Sequence, residues 1–258
     1  MPDPRHGVFE TLLVLDGRPV ELDAHLYRLE ASLAALYPDL TPPPLNASVA
    51  NPLRAGSTAG TPAEALRLAV APDANGKLAT TTERRTATGH FAPEGVRQSS
   101  TEAVSLRGLT VAGGLGAHKW VDRRLLDEAQ ASLPNHALPL IIDTDGAALE
   151  AARANLFAVR DGALLTPPLD GRILPGITRM RVLESAAEIG IETREASLTR
   201  DDLLAADEVF LTGSVRGVER ADRLDGATLR GGGELSGRFA AALRRAWTGT
   251  ATVAQPVG

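Results

Sequence analysis

The sequence predicts an α+β protein in two parts, an N-terminal α/β domain over residues 1–110 and a C-terminal α/β domain over 119–258, joined by an interdomain connection at 111–118. Three observations lead there. Runs of β-prone residues meet at short turn signals, as antiparallel hairpins do. Helical stretches stand apart from them, marked by apolar residues at intervals of three and four. The two parts are separated by a stretch rich in glycine and serine, and 258 residues allow one large domain or two modest ones.

Residues 7–22 read as a hairpin whose strands meet at Asp16 and Gly17. Asp23 is placed as the N-cap of a helix running to about Ala35. Leu26, Leu29, Leu33 and Leu36 give that helix its apolar stripe, while His25, Arg28 and Ser32 share another face. Three prolines at 42–44 break the chain before a second helix. Residues 65–71 and 79–85 are strands around the turn Asp73-Ala-Asn-Gly76, and a strand is placed near 102–107. Residues 120–133 read as a helix that Pro134 ends. Residues 140–146, 148–150, 154–159 and 163–166 follow as strands, the later ones antiparallel with tight turns. Leu174-Pro-Gly-Ile-Thr-Arg179 opens a helix to about Ile189, with Gly190 as its natural stop. A short helix at 198–206, a strand at 207–212 and a helix at about 235–247 complete the reading.

Composition narrows the function. The hydrophobic fraction of 43% supports a real core, and with aromatics at 3% that core is mostly Leu, Val and Ala. A net charge of −5 without a long basic block argues against nucleic acid and anionic membrane as main partners. The absence of cysteine removes disulfides and thiol chemistry, and no metal site is expected. No apolar run reaches membrane-spanning length and Met1-Pro-Asp-Pro-Arg-His6 does not read as a signal peptide, so the expectation is a soluble, cytoplasmic protein.

One residue type is kept against a bias. The chain has 25 arginines and two lysines, Lys77 and Lys119. A guanidinium stays protonated, whereas a desolvated lysine amine loses its proton and acts as nucleophile and base. Lys77 lies in a turn-like stretch and reads as a loop charge. Lys119 follows a glycine-rich approach and is flanked by His118 and Trp120; a surface lysine opening a helix is the alternative. Gly113-Gly-Leu-Gly116 lacks the spacing and the strand–helix context of a dinucleotide fingerprint and reads as a flexible connection.

The order of motifs resembles the class IV aminotransferase family, which uses pyridoxal phosphate. The resemblance covers nearly the whole chain. It rests on Gly7-Val-Phe-Glu-Thr11, His25-Leu-Tyr-Arg28, Lys119, Leu149-Glu150 with Asn155-Leu-Phe157, Leu164-Leu-Thr-Pro-Pro168, Leu174-Pro-Gly-Ile-Thr-Arg179 and Asp207-Glu-Val-Phe-Leu-Thr-Gly-Ser214. It implies a D-amino-acid-aminotransferase-like fold with the cofactor at the domain junction, and a homodimer. Lys119 matches the lysine that bonds the cofactor aldehyde. Glu150 matches the carboxylate beside the ring nitrogen, where an opposite charge keeps that nitrogen protonated. Arg28 matches the phosphate arginine. Gly176, Ile177 and Thr178 open a helix, where free N–H groups favour an anion, and Gly213 with Ser214 matches the family's other phosphate-binding turn.

The family holds branched-chain and D-amino-acid aminotransferases and aminodeoxychorismate lyase, and the chain is most similar to the lyase. Phe9-Glu10-Thr11, Lys119-Trp-Val-Asp122-Arg123 and Val215-Arg216-Gly217 are lyase-like. Arg124 stands where branched-chain enzymes place a tyrosine. The implied reaction turns 4-amino-4-deoxychorismate into 4-aminobenzoate, a folate precursor, and pyruvate. Arg123 and Arg216 would meet the carboxylates of that substrate. Transamination of branched-chain or D-amino acids is the alternative, and a non-catalytic cofactor-binding protein a lesser one. Two departures bear on substrate: Asp122 replaces an asparagine, and Arg220-Ala221 replaces Pro-Val.

Overall fold

Strands and helices segregate as the periodicities require, in two groups that meet at Lys119. The structure, a computed structural model, describes residues 2–54, 63–87, 91, 103–134 and 137–249.

The smaller group is a sheet of four strands in the order β2-β1-β3-β4. These are β1 (Val8–Leu15), β2 (Arg18–Pro19), β3 (Glu64–Pro72) and β4 (Leu78–Thr86). β1 turns into β2 through Asp16 at φ 47° and Gly17 at φ 74°, the left-handed pair that a two-residue hairpin requires. Helices α1 (Leu22–Leu36) and α2 (Leu45–Arg54) cover one face. Leu26, Leu29 and Leu33 pack there with Val49, Leu66, Leu68 and Val70. Asp23 is not the N-cap. The helix starts at Leu22, and Glu21 takes the cap position at φ 54° without capping through its side chain. Its carboxylate is spent elsewhere, accepting from Arg181 at 2.7 and 2.6 Å and from Trp247 Nε1 at 3.2 Å, which ties the smaller group to the larger one.

The larger group closes on itself. Strands β5 (Val104–Thr110), β6 (Ala137–Ile142), β7 (Ala147–Ala151), β8 (Ala154–Arg160), β12 (Glu208–Gly213) and β13 (Gly217–Leu224) run in the order β8-β12-β13-β5-β6-β7, and β7 pairs back onto β8. The result is a six-stranded barrel. The short strands β9 (Ala163–Thr166), β10 (Thr193–Glu195), β11 (Leu198–Thr199) and β14 (Ala227–Thr228) extend its rim. Leu106, Leu138, Leu140, Leu156, Val209 and Leu211 fill one core. Alternate residues point the other way, where Phe157 stacks on Phe210 at 5.1 Å and helices α4 (Ile177–Glu188) and α6 (Glu234–Thr248) cover them. β13 has no counterpart in the sequence reading, because Arg220, Asp222 and Arg223 interrupt its apolar alternation.

Three placements differ from expectation. Val104–Thr110 belongs to the barrel, paired parallel with β6 and β13, so the C-terminal group begins ahead of residue 111. The helix expected from Trp120 is α3 (Arg124–Ala131), because Trp120 first pairs with Val8 at the edge of β1. Leu198 and Thr199 form β11, and only then does α5 (Arg200–Ala205) begin, capped by Thr199 and Asp202.

Candidate active site

The site is assembled from four places that the fold brings together. The first is the pair β1 and α1. Glu10 is 1% exposed, the one charged residue of β1, a placement that demands partners. Arg28 supplies a fork, Nε donating to Oε1 at 2.8 Å and Nη2 to Oε2 at 2.7 Å, and His25 Nδ1 lies 2.7 Å from Oε2. Burial pushes the Glu10 carboxyl up, but the Arg28 charge and the His25 bond outweigh it and hold the group at about 2. Arg28 Nη1 also donates to the Pro175 carbonyl at 2.8 Å, which fixes the guanidinium against the start of α4.

The second is Lys119. Its carbonyl accepts from Phe9 N–H at 2.8 Å, and Val121 N–H donates to Gly7 at 3.0 Å, so main-chain bonds hold the lysine to the edge of β1. Nζ lies 4.9 Å from the centre of the Phe9 ring. Burial, reinforced by the Arg28 charge, lowers the amine to about 8. The glycine-rich approach is well anchored. A Cβ on Gly114 would meet the Arg172 carbonyl at 2.3 Å, and Gly113 N–H donates to Asp143 at 2.8 Å. Glycine serves close packing and positive φ here rather than looseness.

The third is the hairpin of β7 and β8, joined by Ala152 and Arg153. Glu150 pairs in register with Asn155 at its base. Burial raises the Glu150 carboxyl to about 8, against the Leu174 N–H bond and the charges of Lys119, Arg28 and Arg123. Asn155 Nδ2 donates to the Leu174 carbonyl at 2.8 Å and to Glu150 at 3.3 Å. The fourth is a pair of turns, Gly176 to Thr178 opening α4 and Thr212 to Ser214 ending β12. A Cβ at Gly176 would sit 1.8 Å from Asn155 Oδ1, so only glycine allows this approach.

Arg28, Lys119, Arg123, Glu150, Gly176, Ile177, Thr178, Gly213 and Ser214 line one cavity of about 310 Å³. The cavity fits a phosphorylated ring by its donor set. Thr178 and Thr212 bury hydroxyls that have no partner among the described residues, beside the unpaired N–H groups of a helix start. A buried amine and a buried carboxyl complete it.

Arg216 is not brought there. Its Nε donates to Glu219 at 2.6 Å, away from the cavity. Asp122 does line the cavity, but its carboxylate is spent on Asp3 N–H at 3.0 Å and on Arg124 at 2.9 Å. The Arg220-Ala221 departure also lies off the cavity: Ala221 faces the barrel core, and Arg220 donates to Gly231 outside it. Lys77 is exposed in its turn, as expected.

Sequence reasoning gave no role to Glu10, His25, Asn155, Thr212 or Arg153. For Glu10 the signal existed, a lone acid in an apolar strand. For Arg153 there was none, because arginine is so common in this chain.

The family model for Amino-transferase class IV matches residues 7–223. The branched-chain-amino-acid aminotransferase of Escherichia coli (strain K12) is 40% identical over 102 residues, covering 40% of this chain and only 33% of that protein's length. A hypothetical aminotransferase from Mycobacterium tuberculosis, in its alpha-ketoglutarate and PMP bound form, superposes with a TM-score of 0.78 at 26% identity, over 95% of this chain and 90% of that one. The 4-amino-4-deoxychorismate lyase of Pseudomonas aeruginosa gives 0.73 at 27% identity, over 92% and 90%.

Proposed function

The chain belongs to the Amino-transferase class IV family, whose members depend on pyridoxal phosphate, and from that premise we propose that it is a lyase converting 4-amino-4-deoxychorismate to 4-aminobenzoate and pyruvate. Arg28, the hydroxyls of Thr178 and Ser214 and the N–H groups at 176–178 would hold the phosphate. When bound, the cofactor supplies an aldehyde for an amine and a ring that accepts an electron pair.

The chain's own residues do the rest. Lys119 Nζ would be the cofactor's attachment point in the resting enzyme. When a substrate amine occupies the cofactor, the freed Nζ would serve as the base for the proton on the carbon bearing that amine. An amine lowered to about 8 suits this task near neutral pH. Glu150 is assigned to the ring nitrogen, which its carboxylate would face as the opposite charge and so keep protonated. Glu10 keeps Arg28 pointed at the phosphate end.

The observation that carries the lyase reading is the cation in the substrate end of the cavity. Arg123, four residues after Lys119, lines it with Nη2 tied to the Ala152 carbonyl at 3.0 Å. The chain's two tyrosines, Tyr27 and Tyr37, both lie off the cavity. One finding favours the second reading, transamination of branched-chain or D-amino acids: the 40% identity to a branched-chain enzyme over 102 residues.

The two readings separate by stoichiometry. A lyase releases 4-aminobenzoate and pyruvate in equal amounts over many turnovers without a keto acid. A transaminase stops after one half-reaction until a keto acid is added. Borohydride reduction of the loaded enzyme should fix the cofactor on Lys119; fixation on Lys77 would remove Lys119 from its role.

A further inference from the structure

We propose that Arg153 sets substrate specificity: from the tip of the β7–β8 hairpin its guanidinium takes an anionic group of the substrate remote from the reacting amine, selecting acidic amino compounds over apolar ones. The inference rests on the placement of cofactor and substrate ends proposed above.

The hairpin makes this placement unavoidable. Glu150 and Asn155 pair at its base, Ala151 and Ala154 pair above them, and Ala152 with Arg153 is all that remains to turn the chain. Arg153 therefore lies a few ångströms along the wall from the residues that face the ring. It lines the same cavity as Lys119 and Glu150.

Other arginines around the site and its seam are held by a carbonyl or a carboxylate, as Arg28, Arg123, Arg172, Arg181 and Arg216 are. Arg153 has neither a hydrogen bond nor an ion pair among the described residues, and the acid in its field, Glu219, is taken by Arg216 at 2.6 Å. The cation beside it is Arg123, held in place by the hairpin's own Ala152 carbonyl. The residue is exposed, and the charges of Arg216, Arg123 and Arg85 gather around it. Like charges kept together with open donors favour an anion, and a guanidinium fork matches a carboxylate in two bonds.

The cofactor phosphate has its own cation: Arg28, tied to Pro175 at the start of α4, does not figure among the charges acting on Arg153. The Arg153 carbonyl faces Gly213 of the second phosphate turn, and the guanidinium is left for a second anion. A carboxylate on the substrate is the remaining occupant.

The test uses the cofactor-loaded enzyme and two keto acids of similar length, 2-oxoglutarate and 4-methyl-2-oxopentanoate, measured by calorimetry. The dianion should bind the wild type more tightly by about tenfold or more, the size of one charge-assisted hydrogen bond. Arg153→Ala should erase most of that preference, and Arg153→Lys should keep part of it, with the cofactor absorbance unchanged in both. Three results overturn the proposal: no preference in the wild type, an undiminished preference in Arg153→Ala, or equal loss of both ligands together with the cofactor. The lyase reading is decided separately by release of 4-aminobenzoate. A shifted preference without that product would leave Arg153 in place and remove the lyase.

Discussion

At the scale of single residues, Glu150 and Lys119 oppose the stability of the protein without its cofactor. Below pH 4.5 Glu150 is protonated folded and unfolded alike. Between 4.5 and about 8 the unfolded chain ionises it and the folded chain does not, so stability falls as pH rises, by at most about 1.4 kcal/mol per unit. Lys119 acts in the next window. From about 8 to 10.5 the unfolded chain keeps a proton that the folded chain has given up, so stability recovers with rising pH. Thermal unfolding of cofactor-free Glu150→Gln should therefore be flatter than wild type between pH 4.5 and 8, and the variant should be the more stable at pH 8. An unchanged slope would show that the carboxyl is not held neutral. With cofactor bound, the same variant should keep its affinity and lose turnover by roughly 10²–10⁴-fold, the range of a misplaced proton.

At the scale of elements, the start of α4 depends on a missing side chain. Gly176→Ala forces its Cβ into Asn155, so we expect a loss of about 1–3 kcal/mol and weaker cofactor binding. Gly237→Ala, in α6 with open space around it, should be neutral or gain about 0.5–1 kcal/mol. Equal behaviour of the two in thermal melts and cofactor titration would refute the packing argument. Much of this level was legible. The Asp16-Gly17 hairpin, the leucine stripe of α1 and the strand run from 147 to 166 follow from local chemistry alone. β13 did not, because its apolar residues Val218, Ala221 and Leu224 stand three apart, across a bulge, instead of two. Barrel closure did not either, because the return of β7 to β8 is a long-range consequence of strand order. The site was half legible: Lys119 stood out by rarity, whereas Glu10, Asn155 and Arg153 acquire meaning only from the partners they have or lack.

At the scale of the whole molecule, two groups of elements share a seam made of a few bonds. Main-chain hydrogen bonds join Lys119 to Phe9, Arg28 reaches Pro175, and Glu21 receives Arg181 and Trp247. Leu125, at the cavity wall, stays 46% exposed and Tyr27 75%, apolar surface suited to a second copy. We expect a symmetric homodimer, and sedimentation showing a fully active monomer at assay concentration would contradict it. The seam also orders events in time. Arg28 and Pro175 stand 147 residues apart, so their contact is among the costly late ones. A newly made chain thus has no pocket to offer until both halves are finished. The cofactor can reward folding but cannot guide it. In refolding experiments tryptophan fluorescence should reach its native value first, and the yellow absorbance should follow at a rate that excess pyridoxal phosphate does not hasten.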